Sequence, residues 1–220
     1  MFTSTFTYSI LKRAIDKKII KIDLINIRDF ATDKRKTVDD TPYGGGKGMV
    51  LKVDIIVRAL ESIKPKPYTV LLSAAGKKYG QKKSKSLSSK KSLAVICGHY
   101  EGIDARVIKY VDEVISIGDF VLTGGEIAAL AIVDSVARLI PGVIHPESLK
   151  SESFSQATNH QPSTINWLEY PQYTKPEIFR QSKVPKVLLS GNHQQVEKWR
   201  QQEAFKITKK YRPDLLKRRK

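Results

Sequence analysis

Leu93-Ala94-Val95-Ile96-Cys97-Gly98-His99-Tyr100-Glu101-Gly102-Ile103-Asp104 is a short apolar run that stops abruptly at glycine and polar residues. An apolar run of this length, bounded by turn residues, predicts a strand buried on both faces. The residues from Gly98 to Asp104 then read as a turn and a helix start, with Asp104 placed to cap a helix from Ala105 to Val111. Two further runs repeat the pattern. Thr69-Val70-Leu71-Leu72 ends in Ser73-Ala74-Ala75-Gly76, and Val114 to Ile117 ends in Gly118. Apolar strands alternating with helical segments predict an α/β fold with a parallel sheet covered on both sides. In open sheets of this kind the ligand crevice lies outside the carboxyl ends of the strands. Three strand-end loops therefore point toward one site.

Outward from this centre, Phe6, Ile10, Leu11, Ala14 and Ile15 recur at helical spacing within Thr5 to Lys18. Ile20, Ile22 and Leu24 alternate with Lys21 and Asp23, which reads as a strand. Asp29 to Met49 is polar and closes in Gly44-Gly45-Gly46-Lys47-Gly48, a loop, and Asp54 to Ile63 reads as a helix. Gly124-Gly125-Glu126 opens a long helix to about Ile140, with Thr123 as its expected cap and Pro141-Gly142 as its stop. That helix is apolar on most faces, so it is expected in the interior or at a subunit interface. His145 to Asn166 holds seven Ser or Thr and two Pro, the composition of a linker. A second unit follows from Trp167, its clearest helix running from Gln194 to Phe205 with Val196, Trp199 and Phe205 facing inward. The expected organisation is thus 1–144, a flexible linker 145–166, and a small helical domain 167–220.

The 220 residues suffice for one good core, or one core with a small second domain. The net charge of +17 marks a partner of opposite sign. Nucleic acid is the first candidate and an anionic membrane surface the second, and a ribosomal or chromatin-like protein fits the charge equally. Seven lysines and no acid lie between Lys77 and Lys91, and eight basic residues against Asp214 lie between Phe205 and Lys220. The first run reads equally as a solvated face; the second, with Tyr211 inside it, is expected to contact phosphate. The single cysteine, Cys97, excludes an internal disulfide and reads as a small core residue. The four histidines show no ligand-like spacing. No run of 18 apolar residues and no signal core occur, so a soluble, cytoplasmic protein is expected. The glycine cluster at Gly44 fails as a phosphate loop, because Gly48 follows Lys47 and Thr41 stands where the first glycine belongs. It offers instead a backbone surface without side chains, open to a large ligand.

The strings Asn26-Ile27-Arg28-Asp29-Phe30, Lys36-Thr37-Val38-Asp39-Asp40 and Pro42-Tyr43-Gly44-Gly45-Gly46 stand in order with the passages Cys97 to Asp104 and Ser116 to Glu126. Ile140-Pro141-Gly142-Val143, Tyr170 to Glu177, Ser190-Gly191-Asn192-His193 and Tyr211 to Leu216 continue the series. Together they resemble the TrmD family, bacterial tRNA (guanine-N1)-methyltransferases of the SPOUT superfamily. The resemblance runs from about Phe2 to Leu216.

The resemblance implies a SPOUT fold with a C-terminal trefoil knot, which physical rules alone disfavour, followed by the small helical domain. It implies S-adenosylmethionine as methyl donor and N1 of guanosine 37 in tRNA, 3′ of the anticodon, as acceptor. It also implies a homodimer with active sites shared between subunits. The donor is expected against Leu72, Ser73, Ala74, Gly98, Tyr100, Glu101, Ile117, Gly118, Phe120, Leu122, Gly124 and Gly125. The tRNA is expected against Tyr43, Gly44, Gly45, Glu169, Asn192, Arg200 and Lys209. Arg138 and Glu152 correspond to the catalytic pair, Arg138 stabilising charge on O6 and Glu152 taking the N1 proton. The family's activity is associated with Mg²⁺, for which the sequence shows no legible ligand set.

This chain departs from the common pattern at several places. Glu152 stands where Asp is commoner, one methylene longer than the usual base. Glu169 also stands where many relatives have Asp, Ala74 replaces a common Pro, and His99 replaces a frequent Arg. Relatives usually begin with a short apolar strand and a Phe-Pro-Glu turn ahead of Met1-Phe2; the expectation is a late start or a sheet without that strand. The competing readings are a non-catalytic SPOUT-like RNA-binding protein and a SPOUT methyltransferase acting at another RNA site.

Overall fold

The computed structural model describes residues 2–149, 152–154 and 167–216. The chain divides into two compact units, Met1–Ile144 and His145–Lys220.

In the first unit, helices α1 (Phe2–Phe6) and α2 (Ser9–Asp16) replace the single expected N-terminal helix. The break falls at Thr7-Tyr8, and Ser9 adopts φ +56, a left-handed conformation that a continuous helix excludes. The strand expected at Ile20 to Leu24 does not form. Those residues make no ladder among the described residues, and Leu24 and Ile25 are exposed, so the alternation marks no buried face. A two-residue antiparallel pair, β1 (Asp39–Asp40) with β2 (Val50–Leu51), encloses the glycine turn. Helix α3 (Val53–Ser62) follows, as expected.

The sheet is parallel. Strands β3 (Tyr68–Lys78), β4 (Leu93–Ile96) and β5 (Glu113–Ser116) lie in the order β4-β3-β5, with β3 central. Successive residues of β3 serve opposite faces, as the pleat requires. Val70 packs with Leu87, Ile115, Ile132 and Val136, while Leu71 packs with Val38, Ile55, Ile56, Ile96 and Val107. The first cluster is roofed by α4 (Gln81–Ser88) and α5 (Glu126–Ala137), the second by α3. Each fully buried aliphatic such as Ile132 contributes about 2 kcal/mol. This two-sided burial is why the sheet strands read as continuous apolar runs.

Two boundaries differ from the expectation. Ser73 to Gly76, read as a loop after the strand, is an excursion inside β3: the register with β5 shifts between Leu72 and Lys77, both of which face Ile115. Gly76 permits it, since a Cβ there would lie 2.5–2.7 Å from the backbone of Ile115. The cap of α5 is Gly125 rather than Thr123, with no side-chain capping bond. Asp104 does cap, accepting from the amide of Arg106 at 2.9 Å, but the turn it opens is 3₁₀, Ala105–Tyr110.

The lysine run Lys77 to Lys91 is partly structural. Lys83 pairs with Glu113 at 2.7 Å, Lys78 with Asp119 at 3.1 Å, and Lys90 sits over the Tyr68 ring. These contacts tie α4 and its flanks to the sheet.

The second unit contains α6 (Lys186–Leu189) and α7 (His193–Tyr211), but also an antiparallel ribbon, β6 (Ile178–Phe179) with β7 (Ser182–Lys183), so it is not purely helical. Ala204 and Thr208 are its buried helix residues. Trp167 packs on Phe205 at 5.4 Å and Tyr173 on Trp199 at 6.2 Å. Residues 150–151, 155–166 and 217–220 lie outside the described residues, and with them most of the expected linker and the last four basic residues. No described helix is long and apolar enough to cross a membrane.

Candidate active site

The strand-end loops of the first unit are fastened to one another. The amide of Gly125 donates to the carbonyl of Gly98 at 2.8 Å, and His99 bridges Gly124 in antiparallel fashion. On the other side of the same loop, the amide of Glu101 donates to Met49 O at 3.1 Å, and Leu51 N donates to Gly102 O at 3.0 Å. The glycine turn is thereby brought beside the Gly98–Glu101 loop, with the Glu101 side chain lying against Gly48. Leu72, which precedes the Ser73–Gly76 excursion of β3, and Ile117 pack on the same cluster around Ile115.

Of the residues expected against the donor, Leu72, Ser73, Ile117 and Leu122 are half-buried, and Ala74, Tyr100, Glu101 and Phe120 are exposed. The Ser73 hydroxyl accepts from Ala75 N at 3.3 Å, turning the excursion back toward β5. Ser116 Oγ accepts from Gly118 N at 3.3 Å, and the Phe120 ring folds over Gly118, where a Cβ would meet it at 2.4 Å. Tyr100 holds φ +58, which turns its ring outward beside His99. Tyr43 is 99% exposed at the tip of the glycine turn, and nothing lies within 4 Å of the positions a Cβ would take at Gly44 and Gly45.

Burial, followed by the nearby Glu126 carboxylate, pushes the Cys97 thiol up to about 12, so it stays protonated and unreactive. The Arg106 side chain, hydrogen-bonded to Asp104, holds that carboxyl below its usual range. His99 Nε2 pairs with Glu126 Oε1. The sequence marks Glu126 only as the first residue of a helix; no local pattern shows a partner 27 positions away.

Arg138 is the half-buried C-cap of α5, its amide bonded to Asp134 O at 3.2 Å. Glu152 belongs to the second unit and is half-buried there. Its neighbours Ser153 and Phe154 pair with the start of the small domain: Ser153 Oγ accepts from Glu169 N at 2.9 Å, and Phe154 N donates to Trp167 O at 3.1 Å. The segments carrying Glu152 and Glu169 are thus brought together. Glu169 Oε1 also accepts from Gln172 Nε2 at 2.7 Å. Asn192 caps α7, accepting from Gln195 N at 3.1 Å. Arg200 lies over the Tyr170 ring at 4.8 Å beside Trp199, and Lys209 is exposed on the same helix. Among the described residues no group of three or more His, Cys, Asp or Glu is placed to hold a metal ion.

A parallel sheet whose strand-end loops are joined through glycine backbone places the first unit in the α/β class, in which ligands bind at the carboxyl edge of the sheet. The family model for tRNA (Guanine-1)-methyltransferase TrmD matches residues 1–218, and the chain belongs to that family. It is 50% identical to a tRNA (guanine-N(1)-)-methyltransferase of Caldanaerobacter subterraneus subsp. tengcongensis, over 99% of this chain and 88% of that protein. Enzymes of the same name from Clostridium novyi and Caldicellulosiruptor saccharolyticus are 52% and 53% identical. Those matches span 96% and 95% of this chain, and 86% and 83% of the respective relatives.

Proposed function

We propose that this protein transfers a methyl group from S-adenosylmethionine to N1 of guanosine 37 in tRNA. The observation that carries the reading is the junction of Gly98 with Gly125, which gathers the strand-end loops of a TrmD-family chain into one crevice.

The crevice fits the donor. Half-buried Leu72, Ile117 and Leu122 offer apolar surface to a purine, the glycine-rich backbone offers amides to its edge and ribose, and Glu101 offers an anion to its positive charge. When bound there the donor supplies an electrophilic methyl group. The chain's own residues handle the acceptor. Guanine N1 carries a proton at neutral pH and is a poor nucleophile. Glu152 accepts that proton, a role worth roughly 10²–10⁴-fold. Arg138 stabilises the charge that develops on O6, as an oxyanion-hole donor does, at about 3–4 kcal/mol.

The domain assignment follows the same reading: residues 1–144 form the knotted SPOUT domain, 145–166 the linker carrying Glu152, and 167–220 the tRNA-binding domain. Lys209 and the C-terminal basic run serve the phosphates, and Arg200 the RNA surface beside Tyr170. A second copy of the chain completes the site; the exposed apolar side chains Phe120, Val121 and Ile127 support a homodimer. The protein acts in the cytoplasm, where its tRNA substrate is. Mg²⁺ assistance rests on family association alone.

The test is the identity of the product. Digestion of tRNA treated with protein and donor is expected to release N1-methylguanosine, and release of another methylated nucleoside, or none, contradicts the proposal.

A further inference from the structure

We propose that the His99–Glu126 pair is a latch that sets the affinity of the crevice for its methyl donor, with His99 acting as a positioning residue. The inference rests on the reading of the strand-end loops as the donor site.

Three contacts converge on one point. His99 Nε2 meets Glu126 Oε1, the His99 backbone bridges Gly124, and Gly125 N donates to Gly98 O. The side-chain pair closes directly over Gly124. A Cβ there would lie 2.5 Å from Glu126 Oε2 and 2.8 and 3.0 Å from His99 Cε1 and Nε2. Gly98, Tyr100 and Glu101 stand immediately on one side of the junction, and Gly118 to Gly125 on the other. Glu126 is the first residue of α5, fixed to a helix that packs on the sheet through Ile132 and Val136. A carboxylate there is also favoured by the helix dipole. The rigid helix therefore holds His99, and His99 holds its loop.

The bridge between helix and loop runs from an imidazole nitrogen to a carboxylate oxygen, and a hydrogen bond with an ionised partner is roughly twice as strong as one between neutral groups. Asp119, in the loop that ends at Gly125, is paired with Lys78 and does not compete for the imidazole.

The experiment is calorimetric titration of S-adenosylmethionine into the full chain, with His99→Ala, His99→Arg and Glu126→Gln beside the parent. Thermal melts are recorded for each. His99→Ala and Glu126→Gln are expected to bind on the order of tenfold more weakly, a difference of about 1.4 kcal/mol. His99→Arg, which can still pair with Glu126, keeps the parent's affinity. In turnover the loss falls on the KM for the donor, with kcat unchanged. If His99→Ala does not fold, the Arg and Gln variants decide. A parent that binds no more tightly than His99→Ala and Glu126→Gln, or a His99→Arg that binds as weakly as Glu126→Gln, overturns the latch alone. A parent that does not bind overturns the donor site together with the latch.

Discussion

Gly125 and Gly98 meet at 2.8 Å, amide to carbonyl, with no room between them for a side chain: a Cβ on Gly125 would lie 2.8 Å from both Cys97 Cα and Gly98 N. Gly125 has φ −77, so its conformation is open to any residue and the constraint is contact alone. Gly125→Ala is expected to cost about 1–3 kcal/mol as an overpacking change. It should lower the melting temperature by several degrees and weaken binding of S-adenosylmethionine. Calorimetry and a donor titration on the purified variant check both.

Lys83 and Glu113 join α4 to the sheet, their side chains 31% and 11% exposed. Tyr68 OH donates to the same carboxylate at 3.3 Å. Removing the lysine leaves a mostly buried charge with only a phenol beside it, which is costly even where the intact pair is worth little. Lys83→Met is expected to lose about 2 kcal/mol of stability in urea unfolding, with the donor KM unchanged. A destabilisation no larger than that of Glu113→Gln combined with Lys83→Met would show that the isolated charge is not the cause.

Asp104 gains from Arg106 a stabilisation that is present at neutral pH and lost in acid. The guanidinium lowers its carboxyl below the ordinary 3.8. A depressed carboxyl favours the native state above its unfolded pKa, and that contribution disappears as pH falls through the lower folded value. Arg106→Ala is therefore expected to lower stability by its full effect at pH 7, by less at pH 4, and by nothing once the pH lies below the folded carboxyl's own range. Following the Asp104 carboxyl by NMR titration gives the direction: upward in the variant.

Cys97 lies half-buried at the end of β4 with its thiol pushed up to about 12. At pH 7.5 the reactive thiolate is a negligible fraction. Iodoacetamide is expected to leave the native protein unmodified and to alkylate the unfolded chain to one equivalent. Rapid labelling of the native protein would show that the thiol is neither shielded nor held neutral.

Much of the first unit was legible in the sequence because burial on both faces leaves a continuous apolar record, as in Val70-Leu71 and Leu93 to Ile96. Ile20 to Leu24 misled because alternation reports a buried face only when a neighbouring strand accepts the backbone; none does among the described residues. The excursion at Ser73 to Gly76 depends on contact with Ile115, forty residues on, which no local pattern encodes. The ribbon from Ile178 to Lys183 is two residues deep on each side, too short for periodicity to register. At the site, glycines advertised the loops, whereas the His99–Glu126 pair and the Ser153–Glu169 bond arise only when distant segments meet.

The central claim is methyl transfer to guanosine 37. The most direct measurement is incorporation of label from S-adenosylmethionine into two tRNA transcripts, one with guanosine 3′ of the anticodon and one with adenosine there, for the parent, Glu152→Gln and Arg138→Ala. The account predicts label in the guanosine transcript alone, with both variants slowed roughly 10²-fold or more while still binding tRNA. Equal labelling of both transcripts, or none from the parent while tRNA binding persists, would contradict it and favour a non-catalytic RNA-binding role or a different RNA site.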